Sequence, residues 1–154
     1  MRAPSIIGLI SDTHGLLRPE VLPVLDGCEL IVHAGDVGKP EILESLGTIA
    51  PVVAVRGNVD TGEWASRLPL SAVVEAQCVR IYVLHDVHRL NLDPAAAGFG
   101  IVVSGHSHKA HRDDRGGVIY VNPGSAGPRR FRLPITLARL DLRWSPWDVR
   151  FIEL

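Results

Sequence analysis

The chain has 154 residues, 46% of them apolar and 21% charged, with a formal charge of −1 at neutral pH. This excludes a disordered chain, leaves no global attraction to nucleic acid or anionic membrane, and allows one domain over residues 1–154 that buries about two thirds of its unfolded surface. Only two cysteines, Cys28 and Cys78, lie far apart without CxxC spacing, and no apolar run reaches about 18 residues, so a disulfide framework, a thiolate zinc site and a membrane span are excluded and a reducing, cytoplasmic setting is expected.

In chain order, residues 6–10 form an apolar, β-branched run that reads as a first strand and is followed by Asp12 and His14. Residues 16–26 carry helical spacing, but Pro19 and Pro23 predict a short or irregular helix, because an interior proline removes a donor and clashes with the preceding turn. A second strand over 30–32 precedes Gly35-Asp36, and 39–50 reads as a helix with Pro40 in its first turn. A third strand over 52–55 precedes Gly57-Asn58. Residues 72–75 and 79–84 flank a short turn at 76–77 and read as a hairpin that ends at His85. After the apolar run 101–103 come His106 and His108. Gly116-Gly117 is a tight turn, and 118–121, 135–142 and 147–152 alternate apolar with polar residues, as strands with one buried face do. The expected architecture is α/β, with two face-to-face sheets, one mixed and built from βαβ units, the other more antiparallel and built from the C-terminal hairpins, with helices outside.

Counted from His14, the polar positions Asp36, Asn58, His85 and His106 follow at intervals of 22, 22, 27 and 21 residues, about one strand plus a crossover connection. Each therefore marks the carboxyl end of a strand, the sheet edge at which ligands bind in open α/β folds. Asp12 and His14, at i and i+2 of extended backbone, point to one side and reach one cation. Asp36 can lend an oxygen to each of two ions. Asn58 supplies an amide in place of a further carboxylate, so a pair of divalent cations keeps the excess positive charge that attracts a phosphate oxyanion. His106 and His108 can each face a different ion, and His85 adds another neutral imidazole, a ligand for Zn, Mn, Fe or Ni.

Other polar residues read differently. His33, inside an apolar strand, is expected as a hydrogen-bonded core histidine behind the ligands, and His88 and His111 as solvated loop residues. Asn122-Pro123-Gly124-Ser125 is equally a plain turn or a support beneath the site. Arg129, Arg130 and Arg132 form a cationic cluster, of which Arg129 is the candidate phosphate contact, since a guanidinium fork suits phosphate oxygens.

Asp12-x-His14, Gly35-Asp36, Gly57-Asn58, His85 and Gly105-His106-x-His108, in this order over residues 5–125, resemble the calcineurin-like metallophosphoesterases. His33-Ala34-Gly35-Asp36, Gly57-Asn58-Val59-Asp60 and Asn122-Pro123-Gly124-Ser125 are similar to the small YfcE-type phosphodiesterases. The resemblance implies a four-layer α/β sandwich of two mixed sheets with two metals at the carboxyl ends of the strands. One ion would take Asp12, His14, Asp36 and His108, and the other Asp36, Asn58, His85 and His106, with Asp36 as the bridge and Mn as first choice over Fe, Ni or Zn. Three positions depart from the pattern. Val59 stands where a histidine acid often follows Gly-Asn, which leaves Asp60 as a candidate by proximity beside a metal-bound water or no protein acid at all. Asp36 lacks the following Asp-Arg of protein phosphatases, and His85 is followed by Asp86 rather than glycine.

The expected function is a dinuclear metal-dependent phosphodiesterase acting on a small phosphodiester through a metal-bridging hydroxide, with Asp36, Asn58 and Asp60 as catalytic candidates and Asn58 and Arg129 as substrate contacts. The alternatives are a phosphomonoesterase or nuclease of the same fold, or a non-catalytic Vps29-like interaction scaffold. Eight aromatic residues offer few stacking platforms for nucleic acid. A homo-oligomer is compatible with everything read so far.

Overall fold

Ten strands divide into two five-stranded sheets in the computed structural model, which describes residues 2–154. The first sheet contains β1 (Ile6–Ile10), β2 (Leu30–His33) and β3 (Val52–Ala54) in parallel, joined by α1 (Val21–Leu25) and α2 (Pro40–Leu46). Proline shapes both helices as expected: α1 is short, and α2 begins on Pro40, whose fixed φ suits a first turn and whose missing N–H costs nothing there. After α3 (Glu63–Ser66) the chain enters the second sheet through the hairpin β4 (Ser71–Glu75) and β5 (Arg80–Leu84). There β6 (Ile101–Val103) and β8 (Val118–Pro123) run parallel to β5, and β7 (Ala110–Arg115) closes the edge, giving the order β4-β5-β6-β8-β7.

Two expectations about layout are corrected. The C-terminal hairpin, β9 (Thr136–Asp141) with β10 (Asp148–Glu153), does not build the second sheet: β9 pairs antiparallel with β1 and extends the first, in the order β10-β9-β1-β2-β3. Alternation sets which face of a strand is buried but not which sheet it joins, and β1 offered a free edge. The second correction is β7, an unforeseen strand of sequence AHRDDR. Its charges are tolerated because it is an edge strand with one half-solvated face, and it gains its ladder from β8 across the Gly116-Gly117 turn.

Alternation is strict in the core. Ile7, Leu9 and Val32 of the first sheet meet Ile81, Val83, Ile101, Val103 and Val121 of the second to form the layer between the sheets. The intervening Ile10, Ile31 and Leu137 point outward and pack beneath Val21, Leu25, Ile42 and Leu46 of α1 and α2. The outer face of the second sheet is thinly covered, by a small cluster of Leu84, Val102 and Val118 with Leu90 against it, and the β5–β6 crossover carries only one 3-10 turn, Val87–Arg89. The fourth layer is therefore mostly loop.

Candidate metal centre

The loops leaving the carboxyl ends of β1, β2, β5 and β6 bring Asp12, His14, Asp36, His85 and His108 together, with His106 beside His85. Asp12 and Asp36 are buried, at 0% and 3% exposure. Asp12 Oδ1 lies 3.7 Å from His14 Nε2, 3.9 Å from His85 Nε2 and 3.4 Å from His108 Nε2. Asp36 Oδ2 lies 3.2 Å from His85 Nε2 and 3.6 Å from His14 Nε2. The His14 and His108 rings are 5.3 Å apart, and those of His85 and His106 5.2 Å. His106 is half exposed, with Nε2 3.9 Å from Asp86 Oδ2.

The extended-backbone argument for Asp12 and His14 is corrected. Both have positive φ, 56° and 46°, as do Asp36 (55°), His106 (74°) and His108 (64°). Asp and His tolerate this left-handed region better than bulkier residues, and such backbone concentrates at functional sites where surrounding structure over-determines it. The chain turns sharply off each strand, and the turn, not a pleat, aims the side chain inward. Gly57 permits a close approach: a Cβ there would collide with Asp36 Oδ1 and its backbone nitrogen.

Supporting hydrogen bonds fix the ring orientations. His85 Nδ1 lies 2.7 Å from the Ala34 carbonyl, so it carries the proton and donates, which leaves Nε2 facing the carboxylates. His33 is fully buried and accepts the Gly35 N–H at Nδ1 (3.1 Å), while its Nε2 is 3.0 Å from Thr13 Oγ1, which donates to Val37 O at 2.8 Å. This is the core role read for His33. Burial pushes its pKa down to about 4 against the pull of Asp12 and Asp60, keeping the ring neutral. For Asp12, burial opposes ionisation but is outweighed by His108, His14 and the Ser11 hydroxyl together, so its pKa falls well below the ordinary carboxylate range. At Asp36, burial is likewise outweighed, by His85 and the Val59 N–H.

Asn58 stands exposed on a loop fixed on both sides: Gly57 N–H donates to Asp60, and Val59 N–H donates to Asp36 Oδ1 at 3.0 Å. Asp60 is buried, and its carboxylate accepts the Val37, Gly38 and Gly57 N–H groups at 3.2, 2.9 and 2.8 Å. It ties the Asp36 loop to the Asn58 loop. Arg129 is exposed and donates to Leu133 O within its own loop. The Asn122–Ser125 segment lies beneath the cluster, since Asn122 Nδ2 donates to Gly105 O and Ser107 Oγ, and the Ser125 hydroxyl donates to Asp12 O. Asn122 and Ser125 take the supporting role that was one of the two readings of their segment, whereas Ser11 and Thr13 are supports that sequence reasoning did not single out, their only signal being small polar residues beside the ligands.

The residue set fits divalent metal. Asp12 Oδ1, His14 Nε2, His85 Nε2 and His108 Nδ1 are buried without a hydrogen-bond partner, a costly state unless a cation satisfies them. The donor atoms of Asp12, His14 and His108, and those of Asp12, Asp36 and His85, lie within 4.8 Å of one another.

Comparison with known proteins agrees. The chain is 38% identical to a probable metallophosphoesterase of Methanocaldococcus jannaschii over 133 residues, 78% of this chain and 67% of that protein. It is 34% identical to one from Methanothermobacter thermautotrophicus over 149 residues, 88% and 86% of the two chains. Among solved structures it resembles the E. coli phosphoesterase Yfce (27% identity, 88% of each chain, TM-score 0.69). The fold is also that of Chaetomium thermophilum Vps29 (18% identity, 97% of this chain and 95% of that one, TM-score 0.78). The family model for the calcineurin-like phosphoesterase superfamily domain matches residues 6–144. By its sequence, its two mixed sheets and the cluster at their carboxyl edge, the chain belongs to the calcineurin-like phosphoesterase superfamily.

Proposed function

We propose that this protein is a dinuclear metal-dependent phosphodiesterase of small phosphodiesters. The observation that carries the reading is the set of three buried, unpartnered imidazole nitrogens of His14, His85 and His108, with the equally unpartnered Asp12 Oδ1, at two buried carboxylates. In this reading Asp12, His14 and His108 hold one cation and Asp36, His85, Asn58 and His106 the other, with Asp36 reaching both. Asp12, not Asp36, stands in both donor groups, and Asp36 Oδ2 lies 3.6 Å from His14 Nε2 across them, so both carboxylates would be shared. Manganese is the first choice, since oxygen and imidazole ligands without thiolate do not demand zinc, while Fe, Ni and Zn suit the same donors.

Divalent cations held at this edge would supply Lewis acidity toward an attacking water and the phosphoryl oxygens. The protein's own contribution is orientation. Ala34 O fixes the His85 ring, the Ser11 hydroxyl (2.7 Å) and the His106 N–H (3.1 Å) hold Asp12 Oδ2, and Asp60 keeps the Asn58 loop against the Asp36 loop. Asn58 and Arg129 are the proposed substrate contacts. We do not assign proton donation to Asp60, because its carboxylate is committed to three backbone N–H groups.

The test is hydrolysis of bis(4-nitrophenyl) phosphate with and without Mn. Turnover should require the metal and fall at least about 100-fold in Asp36→Asn and His106→Ala. Unchanged turnover in either variant refutes the assignment. The scaffold reading predicts metal binding with no hydrolysis of any ester, and faster cleavage of 4-nitrophenyl phosphate than of the diester would make the protein a monoesterase.

A further inference from the structure

Beside His106, on the outer side of the second sheet, lies a pocket of about 190 Å³ walled by Asp86, His88, Ser107, His111, Asp113 and Tyr120. His106 separates it from the buried carboxylates, so a group in the pocket is next to whatever the metal edge holds. None of His88, His111 or Asp113 has a role in the site described above.

The chemistry of the walls restricts the occupant. The volume is below the roughly 300–1,000 Å³ of pockets that enclose drug-sized ligands, so it takes a fragment, not a nucleoside. An aromatic base would need a free π-face, but the Arg115 guanidinium already lies over the Tyr120 ring, 4.2 Å from its centroid. An anionic tail would meet the carboxylates of Asp86 and Asp113, and the nearby cation, Arg115, is paired to Asp113 at 2.7 Å. An apolar alkyl group would find Val87 and Val121 in the lining, but would also strip water from two carboxylates and two imidazoles without replacing their hydrogen bonds. A hydroxyl both donates and accepts, which matches carboxylate acceptors and imidazoles that do either. The Ser107 hydroxyl accepts from Asn122 Nδ2 at 3.0 Å and from Lys109 N at 3.3 Å, which leaves its own proton to donate. Asn122 is occupied, bonding Gly105, Ser107 and the Gly124 N–H, and so forms wall rather than contact.

We infer that this pocket receives the alcohol half of the substrate and that this alcohol is a short neutral polyol such as glycerol. The inference rests on the phosphodiesterase reading and gives it a substrate class. His111 and Asp113 lie on β7, which pairs them with Asn122 and Tyr120 of β8. The edge strand missing from the sequence-based layout thus supplies the specificity residues.

Wild-type protein in Mn is assayed on glycerophosphoglycerol, di-n-propyl phosphate and bis(4-nitrophenyl) phosphate. The polyol diester should exceed the propyl diester in kcat/KM at least about tenfold, because a site built for hydroxyls rejects the analogue lacking them. In His111→Ala and Asp113→Asn, the ratio of kcat/KM for the polyol diester to that for bis(4-nitrophenyl) phosphate should fall about fivefold or more. 3,4-Dihydroxybutylphosphonate, in which a P–C bond replaces the glycerol ester and cannot be hydrolysed, should shift the ring resonances of His88 and His111 in NMR spectra. Equal rates on the propyl and polyol diesters, an unchanged ratio in both folded variants, or unmoved histidine resonances overturn the inference while leaving the phosphodiesterase reading intact. No turnover of bis(4-nitrophenyl) phosphate overturns both.

Discussion

Replacing Asp60 by asparagine separates a structural tie from a proton donor. The carboxylate accepts three backbone N–H groups, Val37 and Gly57 on Oδ2 and Gly38 on Oδ1. Asparagine keeps one oxygen, so its NH₂ must face one of these donors, and the best placement sets it against the Gly38 N–H. That loses one charge-assisted hydrogen bond of about 1.5–3 kcal/mol, leaves one N–H poorly paired, and removes the charge from the two bonds that remain. A total of about 3–5 kcal/mol follows. This is a large part of the roughly 5–15 kcal/mol of a typical domain, and at about 2–4 °C per kcal/mol for a chain of this size it lowers Tm by about 10 °C or more. The assay pairs thermal unfolding by circular dichroism with kcat against pH at saturating Mn. The variant should melt early, need about tenfold more Mn for half-activity because the Asp36 and Asn58 loops loosen together, and keep the alkaline limb of its profile. A variant with wild-type Tm that loses the alkaline limb would show that Asp60 gives up a proton, and the reasoning would fail.

Three further outcomes follow from the same geometry. Gly105→Ala places a Cβ against the Ser11 hydroxyl and 2.7 Å from Asp12 Oδ2, so Mn affinity by calorimetry should drop about 10–100-fold while the fold survives a cost of about 1–3 kcal/mol; wild-type affinity would refute the tight fit. In metal-free protein the His33 pKa is depressed from 6.5 to about 4, so between these values the unfolded chain binds the extra proton and stability falls as pH falls, by about 3 kcal/mol over the window. Urea unfolding of His33→Gln should lose that share of the slope, and an identical slope would exclude His33 as its source. Metal addition should raise Tm in a concentration-dependent way, since a ligand bound only to the native state stabilises by mass action, and Asp12→Asn should weaken that rise; a Tm indifferent to Mn, Fe, Ni and Zn would exclude a built metal site.

The strand ends and the donors after them were legible because two local rules hold in this chain: β-branched runs make strands, and at parallel strand ends the next residues emerge on one edge. Asp12, His14, Asp36, His85 and His108 needed nothing more to be named. The shared position of Asp12, in both donor groups, was not legible, because it depends on how the two sheets stack. Neither was Asp60, since an aspartate three residues after a glycine reads the same whether it faces substrate or three backbone amides. The left-handed turns at five of the proposed ligands also left no mark beyond residue types that tolerate them.

The order of apolar and polar residues by itself determined most of the secondary elements and their buried faces, because periodicity and short-range backbone preference act within a few residues, and the motifs at the strand ends carried the resemblance to the family. Tertiary structure alone decided that β9 and β10 complete the first sheet, that the polar β7 closes the second, and that four donor atoms are buried without partners. Edge pairing and desolvation are set by what a distant segment brings alongside, and a linear sequence carries no record of that neighbour.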